Sequence, residues 1–150
     1  MEKHLSLFHY LLTSDYYEEN VDEGRIHQTF YLPYFIFDYF NKINIMVAAD
    51  RSYIVVMLSR SKPTNNSRIL YIEIQMLHQK LNQLFGKDID DLGLFNRSEI
   101  EEGSWKGRKW QHRGYEYSLK ITNGYTVIDG FKLINSIKIV IGPWSLRMLT

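Results

Sequence analysis

Aromatic and basic side chains alternate closely between Trp105 and Tyr117. Cations that neutralise phosphates, placed beside flat rings that stack on bases, are what a single-stranded nucleic-acid site requires. The side chains that could form such a site are Trp105, Lys106, Arg108, Lys109, Trp110, His112 and Arg113. A strand with a basic solvent-exposed face and a buried aromatic face would have the same composition. Both interpretations stay open for residues 105–120.

His112 adds the chemistry of a metal-independent ribonuclease to this segment. Its imidazole could act as a general acid or base near neutral pH, with Lys109 or Arg113 stabilising charge on a transferring phosphoryl group. Glu116 is the nearest second acid–base group in the sequence. In an extended strand, however, Lys109 and Arg113 would lie on the face opposite His112. We therefore assign no catalytic residue and favour a non-enzymatic function.

A second group of residues lies between Asp15 and Glu23, where five carboxylates surround two tyrosines. Tyrosine is favoured at the centre of protein interfaces because it offers a large rigid surface with a polar end, and carboxylates steer a basic partner. Trp144, in a short tail after Gly142-Pro143, would add an apolar contact. The predicted partner-binding residues are Tyr16, Tyr17, Glu18, Glu19, Asp22 and Trp144. An ordinary acidic surface loop would have the same composition.

The residues after Gly86 match part of a calcium-binding loop. Positions one, three, six and twelve of an EF-hand pattern are occupied by Asp88, Asp90, Gly93 and Glu99. Position five is Leu92, which has no side-chain oxygen. A helix C-cap followed by an acidic loop, with Ser98 as the cap of a short turn, explains the same spacing. We predict no metal site and no cofactor.

The composition is typical of a globular protein from a reducing compartment. A chain of 150 residues buries roughly 70% of its unfolded surface, which supports an independent core. There is no cysteine, which excludes disulfides and thiolate chemistry. The apolar stretch 5–12 is too short to span a bilayer and lacks a signal-peptide cleavage site. We expect a soluble, cytoplasmic protein that does not bind a membrane.

The net charge of +1 conceals an uneven distribution. Residues 1–103 contain ten Lys/Arg and fifteen Asp/Glu, whereas residues 104–150 contain eight Lys/Arg and two Asp/Glu. Such asymmetry indicates a surface that faces a charged partner, unless the two halves interleave in space.

Hydrophobic periodicity predicts two helices, over 3–12 and 68–85. In the second helix, Ile69, Ile72 and Met76 widen the apolar stripe, and Gly86 follows as a left-handed cap. The other elements expected in the first half are a loop at 13–24, an edge strand at 25–32 that ends at Pro33, and a central hairpin formed by 42–49 and 52–60. Residues 34–40 fit either a strand or a helical turn.

From Arg108 onward, hydrophobic residues recur at every second position. Tyr115, Tyr117, Leu119 and Ile121 then share one face, as in a half-buried antiparallel strand. Asn123-Gly124 and Asp129-Gly130 predict hairpin turns, followed by strands at 131–134 and 137–141.

These elements predict a single α+β domain over residues 1–150. Its mostly antiparallel sheet is built from two meanders and covered by the N-terminal helix and the long amphipathic helix. Two small sheets are the alternative. The favoured function is a non-enzymatic protein-binding module, such as an inhibitor or immunity-type protein that blocks its partner. Binding of single-stranded nucleic acid and a structural role in a larger assembly are the alternatives, and the oligomeric state stays open.

Overall fold

The computed structural model describes residues 13–60, 67–102, 104–126 and 132–145. These residues form seven strands and two helices: β1 (Tyr16–Asp22), β2 (Arg25–Ile36), β3 (Phe40–Val47), β4 (Tyr53–Ser59), α1 (Ser67–Phe85), α2 (Arg97–Glu101), β5 (Arg108–His112), β6 (Tyr115–Thr126) and β7 (Lys132–Ser145). The predicted mostly antiparallel, sheet-rich fold with few helices is confirmed. The predicted N-terminal helix at 3–12 lies outside the described residues.

All seven strands belong to one sheet, with the order β1-β2-β3-β4-β7-β6-β5. Strands β1 to β4 form one meander and β5 to β7 form a second, and each neighbouring pair is antiparallel. The two meanders join where β4 pairs with β7, with Leu58 opposite Ile139 and Val56 opposite Ile141. The alternative of two small sheets is therefore wrong.

Helix α1 packs on one face of this sheet. Its buried hydrophobic residues follow one line along the helix: Leu70, Ile74, Leu77 and Leu81. They share a core with Ile43, Val56 and Ile139, which point to the same face of the sheet. Ile72 and Met76 are instead 46% and 62% exposed, so the predicted widening of the stripe is wrong. Position 72 lies about 200° around the helix from position 70 and therefore points away from the sheet.

The end of α1 matches the prediction. Gly86 has a φ of 85°, and its N–H donates to the Asn82 carbonyl oxygen at 2.9 Å. Only a residue without a Cβ adopts this left-handed conformation without strain.

The first meander differs from the prediction in three places. The expected loop at 13–24 contains β1, because a strand exposed on both faces has no apolar alternation to mark it. Strand β2 is the second strand rather than an edge, and a register shift between Tyr31 and Ile36 accommodates Pro33. The ambiguous stretch 34–40 divides into the end of β2, a turn with positive φ at Phe37 and Asp38, and the start of β3.

The second meander is built from longer strands than predicted. Asn123 and Gly124 lie inside β6, opposite Asn135 and Ile134, because pairing along the full strand overrides the local turn preference. The other predicted turn, Asp129-Gly130, lies outside the described residues. Two strands were predicted at 131–134 and 137–141, and their described residues, 132–134 and 137–141, belong to the single strand β7. Trp144 is not in a tail, since its backbone pairs with Ile54 within the sheet.

Replacing Gly107 by alanine should destabilise the fold strongly. Gly107 has a φ of 74°, and a Cβ there would lie 2.6 Å from the Leu119 carbonyl oxygen. Strain and overpacking together predict a loss of about 2–5 kcal/mol in the free energy of unfolding, measured by urea titration.

The matched control is Gly93→Ala. Gly93 also has a positive φ, of 63°, but a Cβ there would meet nothing within 4 Å. It should lose only about 1–2 kcal/mol from backbone strain. Equal losses at the two positions would show that the contact with β6 is not what requires Gly107.

Candidate functional site

The two edges of the sheet are treated differently by the rest of the chain. At the β5 edge, the Ile89 N–H donates to the Lys109 carbonyl oxygen at 2.8 Å. Arg108 fixes the same loop, since its Nε donates to the Gly93 carbonyl oxygen at 2.9 Å. The segment that follows α1 therefore lies against the β5 edge and bonds to its backbone at Lys109.

The β1 edge has no such cover among the described residues. All seven residues of β1 are exposed, and their backbone pairing is with β2. The hairpin between the two strands turns at Glu23-Gly24, where both residues have positive φ. This two-residue turn, ending in glycine, is the sequence signal that would have identified β1 as a strand.

The tyrosine rings of β1 are supported by rings on β2. Tyr17 packs on Phe30 with centroids 4.9 Å apart, and Tyr16 packs on Tyr31 at 5.7 Å. Both β1 tyrosines nevertheless keep about half of their surface exposed, at 57% for Tyr16 and 45% for Tyr17. Their rings are therefore held in place before any partner binds.

A hydrogen-bond network orders the carboxylate of Glu19. Gln28 Nε2 and the Tyr17 hydroxyl both donate to Glu19 Oε1, each at 2.9 Å. These two bonds, from Gln28 first and from Tyr17 second, lower the pKa of Glu19 below its ordinary value. Glu19 therefore stays ionised at neutral pH. Gln28 was not among the predicted site residues, because its place opposite Glu19 depends on the β1–β2 register.

Strand β1 has three carboxylates, on Glu18, Glu19 and Asp22, and no basic residue. Arg25 is the first residue of β2, and its Nη2 lies 4.0 Å from Asp22 Oδ2 and 3.1 Å from Glu23 Oε2. These are exposed pairs, so they offset little of the negative charge. The predicted partner-binding residues of 16–22 are thus together on one strand, while the side chain of Trp144 lies outside the described residues.

The residues predicted for nucleic-acid binding at 105–113 do not share one surface. Trp110 is fully buried, and its Nε1 donates to Asn82 Oδ1 at 3.0 Å and to the Gly86 carbonyl oxygen at 3.1 Å. Arg108 is buried as well, with Nη1 donating to the Gly107 carbonyl oxygen at 2.6 Å. Both side chains hold the fold together rather than facing solvent.

The other residues of this segment are dispersed. Lys109 is exposed on the face of the sheet opposite Trp110, and Arg113 occupies the turn between β5 and β6. The His112 ring is half-buried against Phe85, with centroids 4.9 Å apart. Trp105 is half-buried against Phe95 at 5.3 Å, and Lys106 is exposed.

The partial calcium pattern has a structural explanation. The buried Asp88 carboxylate accepts hydrogen bonds from the backbone N–H groups of Leu92 and Gly93, at 2.8 and 3.1 Å. Burial alone would raise the pKa of Asp88, but these bonds and nearby Arg108 lower it. Within the described ranges, no three histidine or carboxylate side chains are grouped as a cation would require.

The cap of α2 differs from the prediction. Asn96, not Ser98, is the N-cap, and it exchanges hydrogen bonds with Glu99 in a capping box at 3.1 and 2.9 Å. Glu99 is therefore held by its own helix terminus.

A buried histidine lies between α1 and β5. His78 is 1% exposed, with its ring centroid 5.4 Å from Phe95 and 5.9 Å from Trp110. Burial, and next the positive charge of Arg108, lower the pKa of His78 below its ordinary value of 6.5, while Asp88 opposes the shift. The folded protein thus holds this imidazole neutral.

The free energy of unfolding should decrease on mild acidification because of His78. The unfolded chain binds a proton to this residue at a higher pH than the folded chain does. The stability contribution is therefore complete above the ordinary pKa and decreases as pH falls below it. Urea titrations at several pH values between about 7.5 and 5 should show this slope.

His78→Leu should remove most of that pH dependence, whereas His27→Gln, on the half-exposed strand β2, leaves the burial of His78 and hence the slope in place. A wild-type slope in His78→Leu would show that another group causes it.

No helix in the described ranges is long and apolar enough to cross a membrane. No protein-family model, no curated protein and no solved structure matches this chain.

Proposed function

We propose that this chain is a non-enzymatic protein-binding module that binds a basic partner through β1, as an inhibitor or immunity-type protein would. One observation carries the proposal: among the described residues β1 is an exposed seven-residue edge strand, while the loop after α1 bonds to the backbone of the opposite edge. Natural sheets usually protect their edges. An edge left exposed beside a protected one is a candidate for pairing with another chain.

The backbone of an edge strand provides the affinity in this mode of binding. Its outward N–H and C=O groups can pair with an extended segment of the partner, which becomes an additional strand of the sheet. Side chains on the two faces then determine which segments are accepted. In β1 these side chains are the two supported tyrosines and the exposed Val21, which is 67% exposed.

The carboxylates of β1 define the chemistry of the partner. A second copy of β1 would place carboxylates opposite carboxylates, which is destabilising for directly opposed pairs. A strand that carries lysine or arginine would instead be steered towards β1 and paired with it. The charge pattern therefore favours a different, basic protein over self-association.

Reversing two charges of β1 should weaken binding of the partner. The tagged Glu18→Lys/Asp22→Lys variant and the wild-type protein would be incubated with nuclease-treated lysate of the producing cells, and the retained proteins quantified by mass spectrometry. Wild type should retain a stoichiometric basic protein, and the variant should bind it about thirty-fold less tightly, which corresponds to about 2 kcal/mol.

The matched control is Asp90→Lys/Glu102→Lys, which makes the same change of charge at exposed positions away from β1. It should retain the partner as wild type does. Equal losses in both variants, or a partner that binds independently of β1, would contradict the proposal.

A further inference from the structure

The face of the sheet opposite α1 carries basic side chains among half-buried apolar ones such as Met57 and Val140. Both described helices contribute to the core on the other face, through residues such as Leu81 of α1 and Ile100 of α2. Side chains alternate between the two faces along each strand. Because Ile43, Leu119 and Ile139 point to the core, Lys42, Lys120 and Lys138 point to the opposite face.

The sheet register places these three lysines in one row. Lys42 lies opposite Ser59, and Lys120 lies opposite Lys138. Leu58 is opposite Ile139, so the next position along brings Ser59 beside Lys138. At about 4.8 Å per strand, Lys138 and Lys120 are adjacent and Lys42 lies about 10 Å away. We call Lys42, Lys138 and Lys120 the lysine row.

The positive charge of the lysine row is not neutralised within the described part of the chain, where no carboxylate forms an ion pair with any of its members. Lys138 is half-buried, and burial first, then Lys42 and Lys120, lower its pKa. Like charges close together at a partly desolvated site favour an anion that lies between them. Of the carboxylates on this face, Glu18 accepts a hydrogen bond from the Tyr31 hydroxyl, whereas Glu116 lies opposite Gly142, four residues along β6 from Lys120.

Two aromatic rings continue the row beyond Lys42. Tyr31 lies opposite Lys42, whose Nζ is 5.7 Å from the centroid of the Tyr31 ring. Tyr16 lies opposite Tyr31 on β1, with its ring 5.7 Å from that of Tyr31. Two rings and three lysines thus lie in one line on five strands, and Ser59 of β4 occupies the position between Lys42 and Lys138.

We propose that this face binds single-stranded nucleic acid, with the lysine row contacting phosphates and Tyr31 stacking on a base. A single strand is the polyanion that has both groups this line can recognise, regularly spaced phosphates and exposed base faces. A twisted sheet is saddle-shaped, so a slender chain can reach the half-buried Lys42 and Lys138 more easily than a planar bilayer can. This surface lies on a face of the sheet and meets the β1 edge at Tyr16, so the proposal goes beyond the protein-binding function proposed for the edge.

The lysine contribution can be measured with a fluorescein-labelled oligothymidylate of about 12 nucleotides. Fluorescence anisotropy would compare wild type with Lys120→Gln/Lys138→Gln across a salt series starting at about 50 mM. We expect affinity to fall about ten-fold, and the slope of log K against log salt to become shallower by about 1.4, since each phosphate contact contributes about 0.7.

The control variant, Lys87→Gln/Arg97→Gln, removes the same charge at two exposed positions outside the lysine row. It should bind as wild type does. Urea unfolding of both variants establishes that each is folded. Absence of binding by folded wild-type protein at the lowest salt, or equal weakening in the two double variants, would overturn the proposal.

Removing the Tyr31 ring distinguishes binding of nucleic acid from binding of other polyanions. Tyr31→Leu should weaken binding of the oligothymidylate about ten-fold and leave binding of inorganic polyphosphate unchanged, because polyphosphate has no base to stack. Equal effects on both ligands would overturn the assignment to nucleic acid. A second result would also overturn this assignment: phosphatidylserine vesicles bind through the lysine row, and the oligonucleotide does not bind.

Discussion

The pairing of β4 with β7 is the interaction on which the rest of the structure depends. It joins two meanders that are separated in the sequence by α1 and α2, and its register places Val56 and Leu58 beside Ile141 and Ile139 under α1. Because this seam lies in the middle of the sheet, β1 and β5 become the edges. The same register determines which side chains, such as Lys138, lie on the face opposite α1.

Within the described part of the chain, the two edges of the seven-stranded sheet are protected in different ways. At β5, Arg108 and Asp88 organise the loop that lies against the strand, since each is buried and each bonds to backbone groups of that loop. At β1, the protection against self-pairing that the described residues provide comes from carboxylates. Charge of one sign discourages a second copy and at the same time selects a partner of opposite charge. Protection and recognition are therefore properties of the same strand.

The sequence identified the elements whose apolar pattern is periodic, and missed those set by pairing. The helix capped by Gly86 was predictable because its apolar residues have a clear period, and the central strands β3 and β4 because two apolar runs flank the short turn at Asp50-Arg51. Strand β1 was hidden, since its side chains are exposed on both faces. The turn predicted at Asn123-Gly124 was wrong because the local turn preference of two residues carries no information about long-range strand pairing. Trp110 and Arg108 looked like ligand-binding residues because composition does not distinguish a ring or cation that faces solvent from one that is buried.

Hydrogen exchange of individual amides, measured by NMR on the isolated protein, tests most directly that the sheet has one covered and one exposed edge. The Ile89 amide, which donates to Lys109, should exchange slowly. Within β1, alternate amides, those that do not donate to β2, should exchange rapidly while their neighbours are protected. Uniform protection along Tyr16–Asp22, comparable to that of central strand β4, would show that the β1 edge is already covered and would contradict the account.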